Sequence, residues 1–188
     1  YVASEFAALG VDFEERNDLL EEGIEAMKTA WTQDGVTLSG RHFLARGNTM
    51  LPRPTSRPHP PIWMGGNSMR AIKRAARSCQ GWSPLPTQDR RAPRTATVSN
   101  LEELRQRIAL AHKEVEAIGR QEPLDICLSL LQPAPGSSDY DPQHSRSYIR
   151  ALSDLGVTWI GVRPTGSDRA AYLDHARRFA DDVIAVLR

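Results

Sequence analysis

Gly65-Gly66-Asn67-Ser68 sets two positions without side chains beside an amide and a hydroxyl, just where the apolar run Ile62-Trp63-Met64 gives way to a helical pattern. Unhindered N–H groups at a helix start, reinforced by the helix dipole, can cradle a phosphate or the edge of a flavin, because first-turn donors have no partner inside the helix. The same residues also make an ordinary tight turn, with glycine supplying unusual φ values and Ser68 capping the helix. The residues alone admit both. Trp63 and Trp82 lie in or beside strand-like runs, and their indoles could stack on a flat ring or simply pack in a core. His42 and His59 could donate a proton near a ring system, or face solvent in loops. Arg163, just before Thr165-Gly166-Ser167, suits an anion at a strand end or stays hydrated. Arg70, Lys73, Arg74 and Arg77 share one helix and at that spacing read as its wet face.

The elements that would hold these groups follow from periodicity. Phe13, Leu20, Ile24, Met27 and Trp31 recur at helical spacing, which predicts a helix over 12–31 that ends at Asp34-Gly35. Val36 to Leu38 and His42 to Leu44 flank Ser39-Gly40-Arg41 as a short hairpin, and a connector rich in proline (Pro52, Pro54, Pro58, Pro60, Pro61) follows, so 35–61 reads as an excursion from the core. Ile62 to Met64 is then a strand. Ser68 caps a helix carrying Met69, Ile72, Ala75, Ala76 and Cys79, with Gly81 expected at its end. Trp82 to Leu85 is a weaker strand, and Pro84 to Thr97 reads as a long mobile loop. Ser99 with Glu102 forms a capping-box pattern ahead of a helix that closes at Gly119. Leu124 to Leu131 reads as a strand, Gln132 to Asp141 as a loop, Tyr148 to Leu155 as a helix, Val157 to Val162 as a buried strand, and 167 onward as the last helix. One helix and four strand–helix units fit half of a (β/α)8 barrel, and equally an open doubly wound sheet.

Composition narrows the partners. The 188 residues carry 24 Lys and Arg against 23 Asp and Glu, a net charge of +1, so a nucleic-acid partner is not expected and a small-molecule substrate is. Cys79 and Cys127 stand apart in apolar surroundings, which predicts buried reduced thiols, no metal site and a cytoplasmic location. No run approaches the ~20 apolar residues of a membrane span, and no signal segment opens the sequence, so no membrane partner is expected. The chain starts at Tyr1 in the middle of a pattern, as a truncated or processed product would.

Three stretches carry a resemblance: Glu5-Phe-Ala-Ala-Leu-Gly-Val-Asp-Phe-Glu-Glu-Arg16; Leu51-Pro-Arg-Pro54 with Arg57-Pro-His-Pro-Pro-Ile-Trp-Met-Gly-Gly-Asn-Ser68; and Gly81-Trp82. Together they resemble the luciferase-like monooxygenase family, especially its branch using coenzyme F-420. The resemblance implies an α/β fold, a (β/α)8 TIM barrel of which 1–188 supplies the last four β/α units as a single domain. It implies FMN or coenzyme F-420 (a deazaflavin) at the C-terminal mouth, hydride transfer to or from a small organic substrate, and in some members oxygen activation. Carried over by position, the cofactor-binding candidates are Tyr1, Ser4, Gly65, Gly66, Asn67 and Ser68, while the acid–base groups would lie before Tyr1. A half barrel implies a homodimer or association with the missing half. The alternatives are a non-catalytic flavin-binding protein, or a barrel fragment holding a phosphorylated, non-redox ligand at Gly65–Ser68 and Arg163.

Overall fold

The computed structural model describes residues 2–86, 96, 98–129 and 133–187. Its contacts gather into two compact units, Tyr1–Pro61 and Ile62–Arg188.

In the first unit, helix α1 (Ala3–Ala8) is followed by a 3-10 turn (Phe13–Glu15) and helix α2 (Arg16–Thr32). The Asp12 carboxylate accepts from the Glu14 N–H at 2.9 Å and opens the turn, as the predicted boundary requires. Strands β1 (Val36–Ser39) and β2 (Leu44–Asn48) form the antiparallel hairpin, with β2 starting two residues later than the pattern suggests. Glu22 is the reason. Its carboxylate reaches from α2 and accepts the N–H groups of His42, at 3.0 and 3.1 Å, and Phe43, at 2.8 Å, so those amides are withdrawn from the ladder. Ile24 is buried at 1 % exposure, whereas Leu20 and Met27, on the same predicted stripe, stand about 40 % exposed. They line an open apolar groove of about 870 Å³ between α2 and the hairpin.

The second unit alternates strands and helices: β3 (Trp63–Gly65), α3 (Met69–Ser78), β4 (Gly81–Ser83), α4 (Leu101–Ala117), β5 (Asp125–Ser129), α5 (Pro142–Asp154), β6 (Trp159–Gly161), α6 (Arg169–Phe179), a π turn (Ala180–Ile184) and a last turn, α7 (Ala185–Leu187). The four strands are parallel in the order β3-β4-β5-β6. Parallel pairing with intervening helices buries one face of such a sheet. Met64, Trp82, Ile126 and Leu128 fill that face at 7 % exposure or less, against Ala71, Ile72 and Ala75 of α3, Leu104 and Ile108 of α4, and Leu152 of α5. The sheet is not closed: β3 and β6 each pair on one side only among the described residues.

Several boundaries depart from the periodicity, each for a local reason. α3 stops at Ser78, before Gly81, because Gln80 and Gly81 both donate to the Ile62 carbonyl and so join the sheet. Arg120 donates to the Ala76 and Cys79 carbonyls at 2.9 and 2.7 Å and satisfies the end of α3. The cap of α4 is Asn100 rather than Ser99: Asn100 Oδ1 accepts from Glu103 N–H at 2.8 Å, and the Glu103 carboxylate reaches back to Ser99 N–H, so the box is shifted by one residue. α5 starts six residues earlier than expected, at Pro142, since Asp141 accepts from Gln143 N–H and proline suits the first helical position. β6 is not a buried strand. Trp159 is 54 % exposed, because β6 is the sheet edge and its inner face has no cover. Arg74 is not on the wet face of α3 but buried, at 8 % exposure. The segment Pro84–Thr97 lies largely outside the described residues, as do 130–132 at the predicted end of β5.

Candidate active site at the strand ends

Because the strands are parallel, their carboxyl ends share one edge of the sheet, the edge at which barrel enzymes bind ligands. Register and alternation decide which side chains gather there. Trp63 pairs with Gly81, Gly65 with Ser83, Cys127 with Trp159 and Ser129 with Gly161. Side chains alternate along a strand, so these residues share the inner face, opposite the one packed on helices. Across β4 and β5, Gly81 pairs with Asp125 and Trp82 with Ile126, which sets Ser83 level with Cys127 and Trp159, so the inner face ends in two staggered pairs of small residues, Gly65 with Ser83 and, one step further along, Ser129 with Gly161. A Cβ on Gly65 would have the Ser83 carbonyl oxygen as its nearest contact, at 3.9 Å, and one on Gly161 would touch Ser129 Oγ at 3.4 Å. Gly65, Ser129 and Gly161 are exposed and Ser83 is half-buried. The two steps form an open shelf.

Two indoles share this face, Trp63 one step below Gly65 and Trp159 level with Gly65, Ser83 and Cys127. Trp63 covers Gly81, where any Cβ would run into its ring, and Trp63 meets Trp159 with centroids 5.5 Å apart and planes at 57°. The two tryptophans sit on the first and fourth strands of the sheet, about 14 Å apart at the usual strand spacing. Contact between their rings means that the sheet curves inward, as a barrel wall does. Cys127 lies half-buried on this face rather than in the core; burial, and then the Asp125 charge, push its thiol up and favour the protonated form.

The turn after β3 is tightly specified. Gly66 sits at φ +111, its N–H donates to the Ser83 carbonyl at 3.3 Å, and its own carbonyl accepts the Trp82 indole N–H at 2.7 Å. Asn67 is 2 % exposed, and its amide is spent on structure: Nδ2 donates to the Leu85 and Ala96 carbonyls at 2.7 and 2.8 Å, and Oδ1 accepts from Leu85 N–H at 2.8 Å. Ser68 caps α3, its Oγ accepting from Ala71 N–H at 3.2 Å. Trp82 is fully buried and belongs to the core. Gly65 thus faces open space while Gly66, Asn67 and Ser68 hold the turn in shape.

The remaining candidates are dispersed. Ser4 is exposed in α1 of the first unit, and Tyr1 lies outside the described residues. His42, beside Glu15 at 3.9 Å, and His59, whose Nδ1 meets the Pro60 carbonyl at 2.8 Å, belong to the first unit too. No group of His, Cys, Asp or Glu among the described residues could hold a metal ion, and no described helix is long and apolar enough to cross a membrane. Ser83, Ser129, Gly161 and Trp159 escape a reading by segments, since each is unremarkable alone. Aligning the four strands by their carboxyl ends would have found them.

A family model described as luciferase-like monooxygenase matches residues 2–154. The chain belongs to the luciferase-like monooxygenase family. It is 40 % identical over 76 residues to an FMNH(2)-dependent dimethylsulfone monooxygenase of Pseudomonas putida, a match covering 39 % of this chain and 21 % of that protein. Its fold is similar to that of monooxygenase RslO1 from Streptomyces bottropensis, with TM-score 0.57 and 22 % identity over 97 % of this chain and 49 % of that one. It is also similar to the coenzyme F-420-dependent tetrahydromethanopterin reductase of Methanopyrus kandleri, with TM-score 0.64 and 12 % identity over 90 % of this chain and 63 % of that one. The chain spans about half to two thirds of these solved relatives.

Proposed function

We propose that this chain supplies the cofactor-facing C-terminal half of a cytoplasmic flavin- or deazaflavin-dependent oxidoreductase that moves a hydride to or from a small organic substrate. The observation that carries this is the stepped shelf of Gly65 with Ser83 and, one step further along, Ser129 with Gly161 at four neighbouring strand ends. A flat ring system needs close backbone approach over a wide area, and only residues this small allow it. FMN or coenzyme F-420 fits there, with Ser83 and Ser129 hydroxyls as hydrogen-bonding groups, Gly65 as the point of closest approach, and Gly66, Asn67 and Ser68 fixing the turn beside it. The bound coenzyme supplies the hydride chemistry, while the protein orients the partners and excludes water. The P. putida relative and the M. kandleri neighbour, one FMNH(2)-dependent and one F-420-dependent, support both coenzymes as candidates. The exposed inner face and the two open edges support association with a further β/α half, either a second copy or the other half of a barrel. Titration with FMN, coenzyme F-420 and NADPH tests the reading. Saturable binding of a flavin-type coenzyme is expected, and tight NADPH binding without response to either of the others overturns it.

A further inference from the structure

Behind the end of β6 lies a small, partly open pocket of about 220 Å³ that the shelf does not use. Pro133, Pro135, Val162 and Phe179 give it apolar walls, and Tyr140 and Ser145 face it from the β5–α5 loop and the first turn of α5. The Tyr140 hydroxyl is buried yet makes no hydrogen bond. A buried donor without a partner costs about 1–3 kcal/mol, so such groups are rare unless something else comes to satisfy them. Burial, the largest influence on this phenol, raises its pKa, with the nearby Ser145 hydroxyl opposing, so it is a neutral donor. Arg163 lines the same space from the end of β6, and its guanidinium is exposed with neither ion pair nor hydrogen bond among the described residues. On the far side the Thr165 N–H and hydroxyl both donate to the Pro135 carbonyl, at 2.8 and 3.2 Å, and so fix the loop after β6 against the loop after β5.

From the unsatisfied Tyr140 hydroxyl, the unpaired Arg163 and the apolar walls together, we propose that this space binds a small organic anion, a carboxylate or sulfonate carrying a short alkyl body. The guanidinium fork matches two oxyanion oxygens, the phenol donates to one of them, and the alkyl part lies against Val162 and Phe179. A volume of 220 Å³ holds roughly seven waters at ~30 Å³ each, which suits a body of a few carbons and excludes a nucleotide. The site is argued from its own residues and stands whether or not a flavin binds at Gly65.

Ligand-observed NMR titration of the purified chain with propionate, 1-propanesulfonate and, as a neutral control, dimethyl sulfone tests the proposal. At least one anion should bind in a saturable, salt-weakened manner, with the sulfone at least ten-fold weaker. Arg163→Gln should weaken the anion about ten-fold or more, and Arg163→Lys should recover part of that loss. Tyr140→Phe should weaken it several-fold while the protein melts at or above the parent temperature, since the variant removes an unpartnered hydroxyl. Equal binding of sulfone and anions, anion binding indifferent to Arg163→Gln, or a clear drop in melting temperature for Tyr140→Phe would each overturn it.

Discussion

At Gly65 and Gly66 two adjacent glycines have different reasons to be glycine, and substitution separates them. Gly66 needs its φ of +111, and a Cβ there would crowd the Ala71 methyl at 3.2 Å, so Gly66→Val damages the turn whatever it binds. Gly65 lacks both constraints. Gly65→Val should therefore leave the melting temperature within about 2 °C of the parent, the usual size of a surface change, yet lower flavin or deazaflavin affinity at least ten-fold. Equal affinity would remove Gly65 from the cofactor shelf. Asn67 behaves oppositely. Its amide makes three hydrogen bonds to the backbone, so Asn67→Ala should cost about 3 kcal/mol of stability in chemical denaturation, through donors and acceptors left unmet in a dry site. The sequence shows Gly65-Gly66-Asn67-Ser68 as one motif, and the cap at Ser68 was legible from residue type and position. The division of labour among the four was not, because Ser83, Leu85 and Ala96, which define it, lie 15 or more residues away in the chain.

Elements here are tied by charged side chains that meet backbone, and these ties have measurable consequences. Arg120 holds the end of α3 with two carbonyl contacts, so Arg120→Lys, which keeps the charge and loses the fork, should still destabilise the second unit by about 1–2 kcal/mol. Glu22 does the same for the hairpin. Desolvation raises its pKa, but the amides of Phe43 and His42, the His42 charge and the Arg41 amide together outweigh that and hold it below the usual 4.5. A carboxyl with a depressed folded pKa stabilises fully above its unfolded value and stops doing so as pH falls through the folded one. The hairpin should accordingly loosen only below about pH 4.5, and Glu22→Gln should flatten that acid limb in amide exchange of His42 and Phe43. Apolar periodicity located α2, α3, α4 and the inner strands well, because core contacts enforce it, but not the bounds or burial of the edge strand β6. It misplaced the start of α5 and the cap of α4, where single residues, Asp141 with Pro142 and Asn100, outrank the apolar stripe in deciding where the first turn begins.

The second unit presents a curved sheet whose outer strands, β3 and β6, each pair on one side only among the described residues, with an inner face bearing exposed Trp63 and Trp159. Surfaces of this kind recruit partners. Light scattering on the isolated chain should show a mass above that of one copy, and a monodisperse monomer would count against the proposed association. The barrel-like order of units was legible from the alternation of strand and helix patterns. Its openness was legible only through the resemblance, which implies four of eight units, since a strand's own residues do not state whether a neighbour is supplied. The tryptophan pair also makes the chain its own optical gauge. Two indoles 5.5 Å apart and tilted by 57° couple their transitions, so they should give a paired circular-dichroism band that Trp159→Phe abolishes. Covering the inner face would dehydrate both rings and shift their emission to the blue, so the moment of assembly can be timed by fluorescence without attaching any label.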